Sequence, residues 1–138
     1  MHLRNTLILI FLSFILFLPG ISTIPPIDRD ESRFAQASKQ MIENGDYIDI
    51  RFQETPRYKK PAGAYWIQTA AVQVLSPNEL NSIWAYRIPS FLAAVSAVLL
   101  TYAIASLFMD KKSALLSGVF LSLTFLLNVE AHMAKTDA

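Results

Sequence analysis

From Ile88 to Phe108 the chain carries no charged side chain. An apolar run that exceeds the roughly 20 residues a helix needs to cross hydrocarbon has few soluble destinations in a chain of 138 residues. As a buried core helix it would have too little chain around it. Pro89 falls in the first turn of a helix starting at Ile88, where its missing N–H costs least. Two further apolar blocks, Thr6 to Leu18 and Ser113 to about Val129, repeat the pattern. Hydrophobic residues make up 53% and charged residues 17%, and their bunching predicts a membrane protein.

The first block has a rival reading. Arg4 before it and Pro19-Gly20 after it also suit a cleaved signal peptide, but the sequence that follows lacks an A-x-A-like site and stays apolar through Ile24. An uncleaved helix is the reading adopted. Asp110-Lys111-Lys112 leaves room only for an antiparallel turn between the second and third blocks. Arg4, Lys111 and Lys112 then belong on the cytoplasmic side. Eight basic residues in the long loop cut against this topology, although loops near 60 residues count weakly. The expected organisation is a first transmembrane helix over 1–24, an extracytoplasmic loop over 25–87, a second helix over 88–109, a cytoplasmic turn over 110–112, a third helix over 113–130 and the start of a second outer loop over 131–138. The fold class expected is all-α: a polytopic membrane protein with about three transmembrane helices and interfacial amphipathic helices in its loop.

The loop is the polar centre of the chain. Asp30 to Asn44 has helical periodicity, with Phe34, Ala37, Ser38, Met41 and Ile42 on one face and Gly45 at the expected C-terminal cap. Tyr47 to Phe52 alternates too briefly to define a strand, and Thr55-Pro56 breaks what precedes it. Ala62 to Leu75 is apolar, helix-compatible and too short to span comfortably, which suits an interfacial or re-entrant segment. The formal net charge of +1 and the absence of lysine-rich runs or zinc-finger spacing argue against a nucleic-acid partner. There are no cysteines, hence no disulfides and no thiolate metal sites.

Asp28, Asp30 and Glu31 open the loop helix, where carboxylates commonly cap free N–H groups and favour the helix dipole. Asp30 stands one turn before Phe34, which turns it toward the apolar side and suits a general base at a membrane surface. Arg57-Tyr58-Lys59-Lys60 reads either as a solvated or anionic-lipid-contacting face or as cations that neutralise a leaving phosphate. Tyr65-Trp66 reads as interface anchors or as a stacking surface for a sugar or prenyl chain. His132 is a hydrogen-bonded surface residue rather than a metal ligand. The topology returns Asp137 to the face that holds Asp30, so two carboxylates distant in sequence can share one site.

Together these elements resemble the polyprenyl-phosphate-sugar-dependent glycosyltransferases of the GT-C type, the group that includes lipid A aminoarabinose transferases and protein O-mannosyltransferases. The matching features are Asp30-Glu31 followed by Arg33-Phe34-Ala35, then Gly45-Asp46-Tyr47, then Tyr58, Lys60 and Pro61 leading into Tyr65-Trp66, and Lys135-Thr136-Asp137 after a membrane helix. The combination, rather than any single motif, carries the likeness. It implies transfer of a glycosyl group from a polyprenyl-phosphate carrier to a lipid or protein acceptor, with inversion at the anomeric carbon, in a bacterial inner membrane. By the resemblance Asp30 is the catalytic carboxylate and Asp137 the second acid, Lys60 contacts the lipid phosphate, and Glu31, Arg33, Arg57, Tyr58 and Tyr65 line the substrate. A divalent metal stays open and no protein-bound organic cofactor is implied. Lys59 stands where many relatives carry an acid, which weakens the case for metal binding there. Members of the group have many more membrane helices, so the chain alone is expected to be inactive. The alternative is a non-catalytic membrane protein whose polar loop binds a partner or anionic lipid.

Overall fold

The structure is a computed structural model and describes residues 2–58 and 60–135. The described residues form α1 (Leu3–Phe17), α2 (Arg29–Asn44), a minimal hairpin of β1 (Arg51–Phe52) and β2 (Thr55–Pro56), α3 (Ala62–Leu75), α4 (Ile83–Phe108), α5 (Lys111–Ser122) and α6 (Phe125–Ala131). The chain is thus mostly helical, and the hairpin is a small departure from the all-α expectation. Its strands pair antiparallel, Arg51 with Pro56 and Phe52 with Thr55. Gln53, at the turn, has φ 55, and Gln40 holds it in that left-handed conformation by accepting from its N–H at 2.8 Å and donating to its carbonyl at 3.3 Å.

α4 is the axis on which the apolar layer is assembled. Phe91, Ala94, Val98 and Tyr102 on its inner face meet Leu9 and Phe17 of α1 and Ala114 of α5 in one buried cluster. Gly118 lets α5 approach α1 closely, since a Cβ there would lie 2.9 Å from Leu9 Cδ1. On the other side Leu92, Leu100, Ile104, Leu107 and Phe108 are exposed. α4 is long and apolar enough to cross a membrane, and only 28% of its most apolar window is buried, far less than a soluble core helix requires. It begins five residues earlier than the apolar run. Pro89 therefore lies inside the helix rather than in its first turn, and Ala85 loses the N–H that would otherwise bond its carbonyl.

The other two blocks are less regular. α1 is shorter than a full span, and α5 and α6 are long and apolar enough to cross a membrane only as a pair bent by 60°. The third block is thus not one continuous helix. Thr124 interrupts it by donating its hydroxyl to the Leu121 carbonyl at 2.6 Å, while Asn128 donates to the carbonyls of Ser122 and Thr124 at 2.9 Å. Side chains that bond backbone carbonyls compete with the helical ladder.

At the opposite end of α4 from Lys111, the loop forms its own small core. Asp28 caps α2 by accepting from the Asp30 N–H, and Gly45 ends it with φ 67, the left-handed conformation glycine tolerates. Phe34, Ala37, Met41, Ile50 and Tyr65 pack together. Ser38 donates to Gln68 at 2.8 Å, tying α2 to α3 through a buried polar contact.

Candidate functional site

The first turn of α2 sets which acid faces inward. The buried positions of this helix are Glu31, Phe34, Ala37, Ser38 and Met41, a stripe at helical spacing. Glu31 lies on it and Asp30 lies about 100° away. Asp30 is therefore not on the apolar side: its side chain is 57% exposed and meets Arg33 at 3.4 Å. The inward carboxylate is Glu31.

Glu31 is paired with Arg87 of α4. Arg87 Nε donates to Glu31 Oε1 at 2.7 Å, and its Nη1 donates to the carbonyls of Ile21 and Ile24 at 2.8 and 2.7 Å. One guanidinium thus ties the chain after α1, the first turn of α2 and α4 together. The same Glu31 oxygen accepts the Ala134 N–H at 3.0 Å, which fastens the stretch after α6 to the start of α2. Lys135 reinforces the junction, with its Nζ 3.6 Å from Asp28 and 3.1 Å from Glu130. His132 adds a contact from Nε2 to the Pro19 carbonyl at 2.8 Å. The second oxygens, Glu31 Oε2 and Glu130 Oε2, are buried without a hydrogen-bond partner among the described residues. A cavity of about 230 Å³ adjoins the pair, with Ile24, Ile27, Asn128, His132 and Met133 among its lining residues.

A second cluster gathers the basic and aromatic elements. Tyr65 is buried and stacks on Phe34 with ring centroids 4.9 Å apart. Arg57 donates from Nε to the Tyr65 hydroxyl at 3.0 Å and sits 5.3 Å over the Phe34 ring, a geometry in which the ring face attracts the cation. Tyr58 is exposed and donates its hydroxyl to Asp49. That bond, and after it Arg51 Nε 2.6 Å away, hold the Asp49 carboxyl below its ordinary range, and the bond to Asp49 pushes the Tyr58 phenol up. Lys60 is exposed just before α3.

Among the sequence candidates, then, Arg57 meets Tyr65 and Arg33 meets Asp30. Asp137 lies outside the described residues. Lys135, two positions before it, is held beside Asp28. Arg87 and Glu130 complete the junction inside, and the partly exposed Asp28 closes it at the surface. Arg87 enters the sequence reading only among the loop's cations, although a lone charge beside a long apolar run is a signal in its own right. Among the described residues no group of three His, Cys, Asp or Glu side chains is placed to hold a metal ion.

This is a helical protein with a membrane-length apolar helix and a polar junction at one end of it. Residues 59–138, more than half of the chain, match the family model described as dolichyl-phosphate-mannose-protein mannosyltransferase, and the chain belongs to this family of GT-C glycosyltransferases. It is 29% identical over 90 residues to the undecaprenyl phosphate-alpha-4-amino-4-deoxy-L-arabinose arabinosyl transferase of Enterobacter sp. (strain 638), a match covering 65% of this chain and 16% of that protein. Its likeness to the transferase of the same name from Yersinia pestis (strain Pestoides F) is 26% over 98 residues, covering 71% of this chain and 17% of the relative. The chain thus spans about a sixth of the length of these relatives. No solved structure matches it.

Proposed function

We propose that this chain supplies the acidic-helix part of a membrane glycosyltransferase that moves a glycosyl group from a polyprenyl-phosphate-linked sugar to a lipid A-like or protein acceptor on the extracytoplasmic face of a bacterial inner membrane. In this reading α1, α4 and the bent α5–α6 pair are its three membrane passes. α3 lies at the interface with Trp66, Ile67 and Val74 outward, all of them exposed. The observation that carries the reading is the Glu31 carboxylate, which holds the start of α2 against the stretch leading to Asp137 in a chain whose family transfers sugars.

Asp30, exposed beside that junction, takes the proton from the acceptor hydroxyl as its oxygen attacks the anomeric carbon. The bond from that carbon to the carrier phosphate breaks from the opposite side, which inverts the centre, and the phosphate leaves as an anion. Lys60 and Arg57 stabilise the charge that grows on it. Asp137 is the second acid, Arg33 and Tyr58 orient the sugar, and the buried Tyr65 acts through Arg57, whose Nε it holds. The chain by itself is inactive, because the carrier's long prenyl tail needs more protein around it.

The test is Asp30→Asn and Asp137→Asn, each made at the matching acid of a full-length relative and assayed for sugar transfer from the undecaprenyl-phosphate donor. Each variant should lose at least about 100-fold in rate, the scale of general acid–base catalysis, with helical content unchanged. Undiminished transfer would leave the loop as a binding surface for a partner or lipid.

A further inference from the structure

At the end of α4 away from the Glu31–Arg87 junction, a cavity of about 430 Å³ is lined by His2, Leu3, Arg4, Asn5, Lys111, Lys112 and Leu115. It lies where the start of α1 meets the start of α5, and the His2 N–H donating to the Tyr102 hydroxyl at 3.2 Å holds that corner closed. Three of its lining side chains are cations drawn from two helices. All three are exposed, and among the described residues none pairs with a carboxylate.

The nearest acid does not answer them. Asp110 commits its oxygens to the α5 cap, with Oδ2 accepting from the N–H groups of Lys112 and Ser113 and Oδ1 from the Ser113 hydroxyl. The cap also occupies the N–H groups that might otherwise bind an anion. The attraction therefore comes from the side chains of Arg4, Lys111 and Lys112. Around them the surface is apolar: Leu3, Leu7, Phe108, Met109 and Leu116 are all exposed. A concave cationic site rimmed by apolar surface at the end of a membrane helix fits a phosphate-bearing headgroup with acyl chains lying along the helices.

We propose that the cavity between α1 and α5 binds the phosphate of an anionic phospholipid headgroup, with Arg4, Lys111 and Lys112 as its ligands. This site is separate from the sugar-transfer site and depends only on α4 crossing a membrane, so it stands or falls independently of the transferase reading.

Native mass spectrometry of the chain in detergent micelles tests it, with phosphatidylglycerol, phosphatidylcholine or inorganic phosphate added in turn. Phosphatidylglycerol should be retained one per chain, at least about tenfold more tightly than phosphatidylcholine. Each of Arg4→Gln, Lys111→Gln and Lys112→Gln should weaken its retention roughly fivefold, the share of one cation near a membrane surface. The triple variant should weaken it on the order of 100-fold, whereas the pair Lys111→Arg and Lys112→Arg should keep it. Equal retention of the two lipids would overturn the proposal. So would a loss below about twofold in all three single variants, a reading that stands even where the triple variant does not fold. Inorganic phosphate bound as tightly as phosphatidylglycerol would overturn the lipid assignment in favour of a free anion.

Discussion

Glu31 and Arg87 lie 56 positions apart in the chain and meet at 2.7 Å with both side chains 1% exposed. A buried pair of this kind is held together by the cost of separating it: removing one partner leaves an uncompensated charge, at about 3–5 kcal/mol, whereas replacing both with apolar side chains costs far less. Glu31→Leu and Arg87→Met are each expected to lower the midpoint of thermal unfolding strongly, followed by helical circular dichroism in detergent micelles. The double variant should recover part of the loss. The remainder belongs to the Ile21 and Ile24 carbonyls, which lose their donor, and to the Ala134 N–H, which loses its acceptor. A double variant as unstable as the sum of the two singles would show that the pair is not coupled.

The local elements were legible in the sequence because local physics fixes them. The stripe of Phe34, Ala37, Ser38 and Met41, the glycine cap at Gly45 and the apolar run from Ala62 to Leu75 all reappear in α2 and α3. What was not legible depends on contacts across the chain. Asp30 and Glu31 are adjacent carboxylates, and which one turns inward follows from α2 starting at Arg29 behind an Asp28 cap, a one-residue phase that composition does not encode. Arg87 looked like one loop cation among several, and only the carbonyls of Ile21 and Ile24 beside Glu31 explain its place inside α4. The break in the third block turns on Thr124 and Asn128, whose side chains reach backbone carbonyls that an apolar count passes over.

The contact of α1 with α5 rests on Gly118. Even a methyl group there meets Leu9 Cδ1 at 2.9 Å and Leu9 Cδ2 at 3.0 Å, and Leu9 is fully buried. Gly118→Ala should be tolerated where Leu9 changes rotamer, because the near atoms are the ends of a flexible side chain. Gly118→Leu should cost about 1–3 kcal/mol through overpacking. Protease protection of the Asp110 turn, which joins α4 to α5, is the measurement; equal protection in both variants would mean that the two helices do not need this approach.

Tyr65 carries two separable contributions, a ring packed on Phe34 and a hydroxyl that accepts from Arg57. Tyr65→Phe keeps the ring and removes the acceptor, and is expected to cost about 1 kcal/mol. Phe34→Ala removes the stack and the surface beneath the guanidinium, and is expected to cost about 3–5 kcal/mol. Chemical unfolding in micelles separates them. In the transferase reading Tyr65→Phe also frees Arg57, so the affinity for donor should change in that variant while the loop core stays folded.

Asp49 and Tyr58 give the hairpin a pH signature at both ends of the scale. Tyr58 is the first cause lowering Asp49 from 3.8, and Arg51 the second; Asp49 is in turn the first cause raising Tyr58 from 10.0. A lowered acid contributes its stability above the unfolded value, so the Asp49 contribution is intact at neutral pH and disappears as the pH falls below 3.8 through the lowered folded value. The raised phenol behaves oppositely. Its contribution is complete below 10.0 and disappears as the pH climbs through the raised folded value. Tyr58 is exposed and Asp49 half-buried at the surface, so the readout is titration rather than global unfolding. In a spectrum with labelled tyrosine rings the Tyr58 signal should titrate above 10.0, and Asp49→Asn should bring it back toward that value by removing the charged acceptor. A Tyr58 titration that does not move in Asp49→Asn would mean that the two side chains do not share a proton-dependent bond, and that Arg51 alone orders the carboxylate.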